Sequence, residues 1–360
     1  MIYLDNAATT PPLTYNEHIW GNPSSSHTLG IVAERRLQQA RGDMAKILSC
    51  TPDEVTFTSG GTESNNLALI GHALASRRKD ITFAAQPWEH PSVLEPLKYI
   101  KNQGLANVII APYMEWSNIE KNIVATISQV NHETGDINDV PIIAAALKQN
   151  KKNVIVIVDG AQGFCKEELD LTNIDIYTFS GHKCHGPAGS GGLMVRNGVR
   201  LVPLQYGGEQ ECKLRPGTEN VNGIVHMANS ANLLWQNQKA NHTHVKTIKE
   251  KLAELEVELP YTVINSSGND VSPYILNMSF LGVKGEVLVR LLAEKGVYTS
   301  MGAACHSRKN TKSVLSAMGF PAKNADSAIR LSFSHLNTIG EAVLAKAKII
   351  ECVKELRRLI

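Results

Sequence analysis

The chain has no apolar run long enough to span a bilayer. Its opening, Met1-Ile2-Tyr3-Leu4-Asp5, lacks the charged-then-apolar form of a secretory leader. Neither sign of charge is in excess: 36 Lys and Arg stand against 34 Asp and Glu, for a net charge of +2. That balance gives no sign of a surface for nucleic acid or anionic lipid. The six cysteines (Cys50, Cys165, Cys184, Cys212, Cys305 and Cys352) are scattered, with no Cys-x-x-Cys pair. In a reducing compartment they are expected to be free thiols. The adjacent pairs Cys184-His185 and Cys305-His306 suit tetrahedral zinc poorly, because its ligands usually have two to five residues between them. There is no internal repeat and no low-complexity segment. These absences predict a cytoplasmic protein without a metal, a membrane contact or a direct nucleic-acid contact. Its 360 residues suffice for a large core and two domains.

What is present is an alternation of strand and helix patterns. Val55-Thr56-Phe57-Thr58 reads as a strand. Ser59-Gly60-Gly61-Thr62-Glu63-Ser64-Asn65-Asn66 follows it and opens a helical pattern. A strand, a glycine turn and a helix N-terminus make a phosphate cradle, because free N–H groups and the helix dipole face the anion. The same stretch also fits a plain strand-to-helix turn with a Thr cap. It is not a Walker loop, since no Lys-Ser/Thr follows.

Further strands are expected at Ile81 to Ala85, before Trp88-Glu89-His90, and at Ile123 to Val130, before Asn131-His132-Glu133-Thr134-Gly135. The continuous apolar run Val154 to Val158 reads as a buried parallel strand with Asp159 at its end. The run Ile174 to Phe179 stops at Ser180-Gly181-His182-Lys183. The alternation predicts an α/β fold with a mostly parallel sheet and helices on both faces. Ligands of such sheets bind beyond the carboxyl ends of the strands. Thr62, His90, Asn131, Asp159 and Lys183 all fall there.

A lysine desolvated at the mouth of a sheet becomes a nucleophile for a carbonyl. Paired with an acid ending the neighbouring strand, it is what pyridoxal 5'-phosphate requires. The lysine forms the Schiff base and the acid keeps the pyridinium nitrogen protonated. Taken singly, Lys183 also reads as a solvated loop lysine, Asp159 as a helix cap and His90 as a loop histidine in water.

Beyond about residue 240 the pattern changes to α+β. It includes a helix carrying Val245, Ile248 and Leu252, a strand from Tyr274 to Phe280, and a terminal helix opened by a Thr338-x-x-Glu341 capping box. That last helix is expected to turn Val343, Ala347, Ile350, Val353 and Leu356 inward. Between them lies Gly302-Ala303-Ala304-Cys305-His306-Ser307-Arg308-Lys309. Its cysteine follows small residues and precedes basic ones, and nearby positive charge favours the reactive thiolate. The expected division is a large domain over 13–240, and a small one formed by 1–12 with 241–360 that carries the Cys305 loop.

These residues resemble a known family over nearly the whole chain. The marks are Tyr3-Leu4-Asp5-Asn6-Ala7-Ala8-Thr9-Thr10-Pro11, Gly21-Asn22-Pro23-Ser24-Ser25, Thr58 through Leu67 and Glu89-His90. Further marks are Asn131 through Gly135, Asp159-Gly160-Ala161-Gln162, Ser180-Gly181-His182-Lys183 and Arg215-Pro216-Gly217-Thr218-Glu219-Asn220. The chain is similar to cysteine desulfurases, fold-type I pyridoxal-phosphate enzymes of the class V aminotransferase type. The resemblance implies a large domain with a seven-stranded-type sheet and a smaller α+β domain.

It also implies roles. Lys183 would be the Schiff-base lysine, Asp159 the pyridinium partner, Gln162 the contact to the ring hydroxyl and His90 the stacked ring. Gly61, Thr62, Ser180 and His182 would hold the phosphate. Thr218 would reach the phosphate of a second subunit, which makes the unit a homodimer. Asn131 and Arg330 would hold the substrate carboxylate. Cys305 would take the sulfur of L-cysteine as a persulfide, leave alanine, and pass the sulfur to an acceptor protein such as an iron–sulfur scaffold or a tRNA-thiolation enzyme. Lys183, Cys305 and His90 form the implied catalytic set. The stretch Gly302 to Ser307 also resembles selenocysteine lyases, which share the fold and cofactor and release selenide. A non-catalytic sulfur-delivery scaffold would not require Lys183, Asp159 and Cys305 together. An ordinary transaminase would not require Cys305.

Overall fold

A strand buried on both faces must lie inside a sheet covered by helices, because half of its side chains would otherwise meet water. Several segments of the chain have this character, and they organise the fold. The computed structural model describes residues 1–13, 17–76, 80–119, 122–150, 153–266, 270–301 and 313–358. Its strands are β1 (Ile2–Tyr3), β2 (Val55–Thr58), β3 (Thr82–Ala85), β4 (Asn107–Ile110), β5 (Ile123–Ser128) and β6 (Ile155–Asp159). They continue with β7 (Ile176–Ser180), β8 (Gly191–Val195), β9 (Thr262–Ile264), β10 (Ile275–Phe280), β11 (Val297–Tyr298) and β12 (Ala328–Ser332).

The chain divides into two compact units, one of residues 11–129 with 138–236, the other of residues 1–10, 130–137 and 237–360. The first unit holds the sheet β2-β8-β7-β6-β5-β3-β4, seven strands among the described residues. Its pairs are parallel except those of β8, which runs antiparallel to both neighbours. The period of two sorts the central strands onto two cores. Ile123, Ala125, Ile127, Val156, Val158, Tyr177 and Phe179 face one core. Val124, Ile157 and Ile176 face the other. Phe164 stacks on Phe179 with ring centroids 4.9 Å apart. Each such fully buried side chain contributes about 1.5–3 kcal/mol of transfer free energy.

Helix 28–47 turns Ala33, Leu37, Ala40 and Met44 inward, which is the apolar face of its sequence pattern. The helix over Pro91–Asn102 has no counterpart among the sequence expectations, because Pro96 interrupts its pattern. Strand β4 was also not expected. It is an edge strand with Ile109 and Ile110 exposed, so it lacks the alternation that marks a half-buried strand.

The second unit is antiparallel where the first is parallel. β10 lies between β9 and β12, and the short pair β1 and β11 is parallel. Helices 238–253, 285–294 and 339–357 supply Val245, Ile248, Leu252, Leu288, Leu292 and Ile349 to its core. The segment 130–137 joins this unit through the bridge of Asp136 with Val271 and the Ser272 N–H to the Gly135 carbonyl at 2.9 Å. It therefore leaves the continuous stretch 13–240 read from the sequence.

The terminal helix corrects a second expectation. Thr338 and Glu341 form the capping box as read. Val353 is buried and Ile350 and Leu356 pack against the core as read, but Ala342, Ala345, Ile349 and Cys352 complete the inward face and Val343 is 44% exposed. Ala347 is also exposed. Small residues let the first turns of this helix pack closely, so choosing the largest apolar side chains there picks Val343 over Ala342.

Candidate active site

Asp159 ends β6, where the strand is fully buried and the next residues turn away. One carboxylate oxygen accepts from the Ala161 N–H at 3.0 Å, and the other accepts from Asn65 Nδ2 at 2.8 Å. Asn65 is 2% exposed and faces the sheet from the helix Gly61–Ala75. Its Nδ2 also donates to Ser92 Oγ at 2.9 Å, and its Oδ1 accepts from Thr178 Oγ1 at 2.7 Å. Ser92 Oγ lies 2.8 Å from His90 Nδ1. His90 caps the helix Pro91–Asn102 by accepting from the Ser92 N–H at 3.1 Å, and its ring is exposed. Asp159 and His90, read separately from the sequence, thus belong to one hydrogen-bonded group.

Lys183 closes a short 3-10 turn, Gly181–Lys183, directly after β7. Gly181 is required there, since a Cβ would stand 2.3 Å from Ser190 Oγ. His182 is half-buried. Burial first, then the charges of Lys183 and Lys166, push its imidazole down to about 4, so it is neutral at pH 7. Gln162 is buried and accepts from Lys166 Nζ at 3.4 Å. Cys184 is buried, its thiol pushed up to about 12 by burial and bonded to the Gly181 carbonyl at 3.3 Å. His185 Nδ1 meets the Pro11 carbonyl at 2.7 Å.

The turn after β2 faces Ser180. A Cβ on Gly61 would lie 3.4 Å from Ser180 Cβ, and Ser180 Oγ is buried without a hydrogen-bond partner among the described residues. Within the helix the backbone ladder starts with the Ser64 N–H to the Gly60 carbonyl, so the first-turn N–H groups have no partner inside it. Thr62 is exposed at this end. An orphaned hydroxyl opposite open N–H groups and a glycine turn fits a phosphate. Together with a lysine and an acid at adjacent strand ends, these residues could hold pyridoxal 5'-phosphate. An open cleft of about 470 Å³ runs beside Thr62, His90, Ser92 and Tyr99.

Thr218 is exposed in the loop after β8. That loop is tied down by Glu211, whose carboxylate pairs with Arg41 at 2.6 Å and accepts from the Phe57 N–H at 2.9 Å. Buried and doubly satisfied, the pair fixes the loop's path more than it adds stability.

Glu89, beside His90, is 2% exposed, with both oxygens within 3.1 Å of the Ser128 N–H. Burial, aided by Asp159, pushes its carboxyl up to about 8. The sequence reading gave no role to Asn65, Ser92, Thr178 or Glu89. The available signal was a polar Asn65 on the inward face of a helix that also buries Leu67, Ala68 and Leu69.

Asn131 and Arg330 lie in the other unit. Asn131 Oδ1 accepts from the N–H groups of Glu133 and Thr134 at 2.9 and 3.0 Å, which shapes the turn that Gly135 ends with φ +80. Arg330, on β12, donates to the His132 carbonyl at 2.8 Å and pairs with Asp5 at 3.1 Å. Its Nε is buried without a partner among the described residues. Asn277, opposite Arg330 on β10, donates to the Glu133 carbonyl at 3.2 Å. The Arg330–His132 and Asn277–Glu133 bonds thus hold the 131–135 turn beside Arg330. Cys305 lies outside the described residues.

The model of the aminotransferase class-V family matches residues 2–343. The chain belongs to that family. Among its class-V relatives, a NifS/IcsS protein homolog of Lactobacillus delbrueckii subsp. bulgaricus is 36% identical, across 95% of this chain and 94% of that protein. A cysteine desulfurase IscS of Methanosarcina thermophila is 33% identical across 99% of this chain and 93% of its own length. A solved NifS-like protein superimposes with a TM-score of 0.91 at 32% identity, covering 98% of this chain and 99% of that one. The class-V fold is that of the fold-type I pyridoxal-phosphate enzymes. No helix among the described residues is long and apolar enough to cross a membrane.

Proposed function

We propose that this chain is a pyridoxal-phosphate-dependent cysteine desulfurase that converts L-cysteine to L-alanine and carries the released sulfur on Cys305. The observation that carries the reading is the Asp159 carboxylate, buried at the end of β6 and held by neutral donors, one strand away from the Lys183 turn. Full-length relatives named as cysteine desulfurases favour it over the selenocysteine lyase reading.

In this reading Gly61, Thr62, Ser180 and His182 hold the phosphate, Gln162 the ring hydroxyl, His90 the ring face and Asp159 the ring nitrogen's proton. When bound, the cofactor supplies an electron sink for the substrate α-carbon. Lys183 Nζ removes the substrate α-proton and moves protons at that centre. The N–H groups at the start of the helix Gly61–Ala75 and its dipole face the phosphate charge. Asn131 and Arg330 orient the substrate carboxylate. The Cys305 thiolate forms an S–S bond as the substrate's C–S bond breaks, and protonation of the remaining fragment gives alanine. The persulfide sulfur then passes to an acceptor protein, an iron–sulfur scaffold or a tRNA-thiolation enzyme, in the cytoplasm.

Alanine formation by the purified, cofactor-loaded protein tests the reading. Cys305→Ala should abolish alanine formation from L-cysteine while the bound cofactor's visible absorbance is retained, and it should keep part of any activity on selenocysteine, whose selenium leaves more readily. Turnover of cysteine by Cys305→Ala at the parent rate would end the persulfide mechanism. The exposure of Thr218 supports a homodimer in which it serves the partner's phosphate. Mixing inactive Lys183→Ala and Thr218→Ala chains should then restore part of the activity, and a fully active monomer in sedimentation would exclude it.

A further inference from the structure

One amide ties together groups that the reaction uses separately. Asn65 Nδ2 carries two hydrogens, and both are committed, one to Asp159 Oδ2 at 2.8 Å and one to Ser92 Oγ at 2.9 Å. Its Oδ1 accepts the Thr178 hydroxyl at 2.7 Å, a closer partner than the Val158 carbonyl at 3.4 Å. The amide cannot be reversed, because Oδ1 would then face the Asp159 carboxylate. The direction of every later bond follows. Ser92 Oγ receives a hydrogen from Asn65, so its own hydrogen goes to His90 Nδ1 at 2.8 Å. His90 Nδ1 also receives the Ser92 N–H at a longer 3.1 Å, so the hydroxyl and the backbone together favour an unprotonated Nδ1. This arrangement favours the tautomer with the proton on Nε2.

We propose that Asn65 is a positioning residue that fixes the Asp159 carboxylate and the tautomer of His90 as one unit, with Thr178 setting the amide's orientation. This rests on the desulfurase reading for the roles of Asp159 and His90, but the network itself involves only side chains of the large unit. A buried network that is fully satisfied defines one geometry, and losing a member strands its neighbours. Asp159 would then keep its orientation toward the ring nitrogen and His90 its hydrogen on the outer edge of the ring.

The test uses the cofactor-loaded full chain labelled with ¹⁵N-histidine. Long-range ¹H–¹⁵N correlation reads the His90 tautomer, and equilibrium dialysis reads the dissociation constant of pyridoxal 5'-phosphate. The parent chain should show a single Nε2–H tautomer. Asn65→Leu should give a mixture of tautomers and weaken the cofactor about tenfold, the loss of roughly one buried charge-assisted hydrogen bond. Ser92→Ala leaves only the longer backbone bond to Nδ1, so it should loosen the His90 tautomer into a mixture and change cofactor affinity less than about threefold.

Asn65→Asp separates positioning from packing. It matches asparagine in shape, so a packing role makes it milder than Asn65→Leu. Positioning makes it worse, because a second carboxylate then faces Asp159. If Asn65→Leu does not fold, Thr178→Val and Ser92→Ala carry the same tautomer readout. An unchanged Nε2–H tautomer in Ser92→Ala and Thr178→Val, or an Asn65→Asp protein that binds the cofactor as well as the parent, overturns the proposal. A parent protein that shows the single tautomer but forms no alanine from L-cysteine would overturn the desulfurase reading and leave the network standing.

Discussion

Asp159 and Arg330 are both charged and both nearly sealed from water, at 7% and 6% exposure, yet they are satisfied in opposite ways. The bonds described for Asp159 come from neutral donors, the Asn65 amide and the Ala161 N–H. Arg330 is paired with the carboxylate of Asp5 and with a carbonyl, and its Nε is left over. Neutral donors solvate an anion without cancelling its charge, so Asp159 can still serve a cation. A guanidinium already paired with a carboxylate has spent part of its charge and offers geometry instead. The first arrangement suits electrostatic stabilisation of a ring nitrogen, and the second suits orientation of a substrate in a fixed plane.

The sharpest way to break this contrast is Asp159→Asn, which keeps shape and removes the charge. Alanine formation should fall about a hundredfold or more, in line with the loss of a preorganised electrostatic partner. Thermal unfolding of the cofactor-free chain should change little, and a large loss of stability with activity retained would show Asp159 to be structural.

Arg330→Lys probes the other side. It keeps the charge and loses the fork, so KM for L-cysteine should rise about tenfold with a smaller change in kcat. The missing bond to Asp5 or His132 should cost about 1–3 kcal/mol in denaturant unfolding. An unchanged KM would remove Arg330 from substrate binding.

Glu89 extends the comparison to a buried acid that resolves its burial by keeping its proton. The folded state holds a proton there that an unfolded glutamate releases near its ordinary value of 4.5, and the carboxyl is pushed up to about 8. That contribution to stability is full below about 4.5 and is lost as pH rises through about 8. Its slope is at most about 1.4 kcal/mol per pH unit. Glu89→Gln, which stays neutral, should flatten the decline in unfolding free energy across that window. Identical pH profiles for the two proteins would mean that Glu89 does not carry it.

The part of the molecule that was legible in the sequence is the part with a strong period. The apolar run ending in Asp159 read directly as a buried strand, because burial on both faces demands unbroken apolar residues, and the branched and aromatic run before the Lys183 turn read as a strand stopping at a tight turn. Helix 28–47 read directly from its three-and-four spacing. Strand β4 and helix 91–102 did not, the one because it is an exposed edge and the other because Pro96 breaks the pattern. The terminal helix was found and its later turns were placed correctly, but its first turns were misjudged, since Ala342 and Ala345 pack inward while the larger Val343 stays at the surface. Within the site, Lys183, Asp159 and the Gly60-Gly61 turn stand out by their places after strands. Asn65 does not, because its role depends on Thr178 and Ser92, which lie 113 and 27 residues away along the chain. The excursion of 130–137 is hidden for the same reason, since its partners are Val271, Asn277 and Arg330.

That excursion imposes a schedule on synthesis. The chain leaves the large unit after Gln129 and returns at Asn138, which grips the point of departure through the Ser128 carbonyl at 2.7 Å and the Gln129 carbonyl at 3.0 Å. The eight residues between them emerge from the ribosome long before their partners exist. His132 waits for Arg330, 198 residues later. At about 5–20 residues per second that delay is roughly 10–40 s. Until Ser272, Asn277 and finally Arg330 follow, the Asn131 turn is held by bonds of its own, among them the Asx bonds and the Thr134–Asp136 bond. No single cut in the chain yields either unit whole, and a nascent chain halted before β12 carries a turn whose arginine has not yet been made.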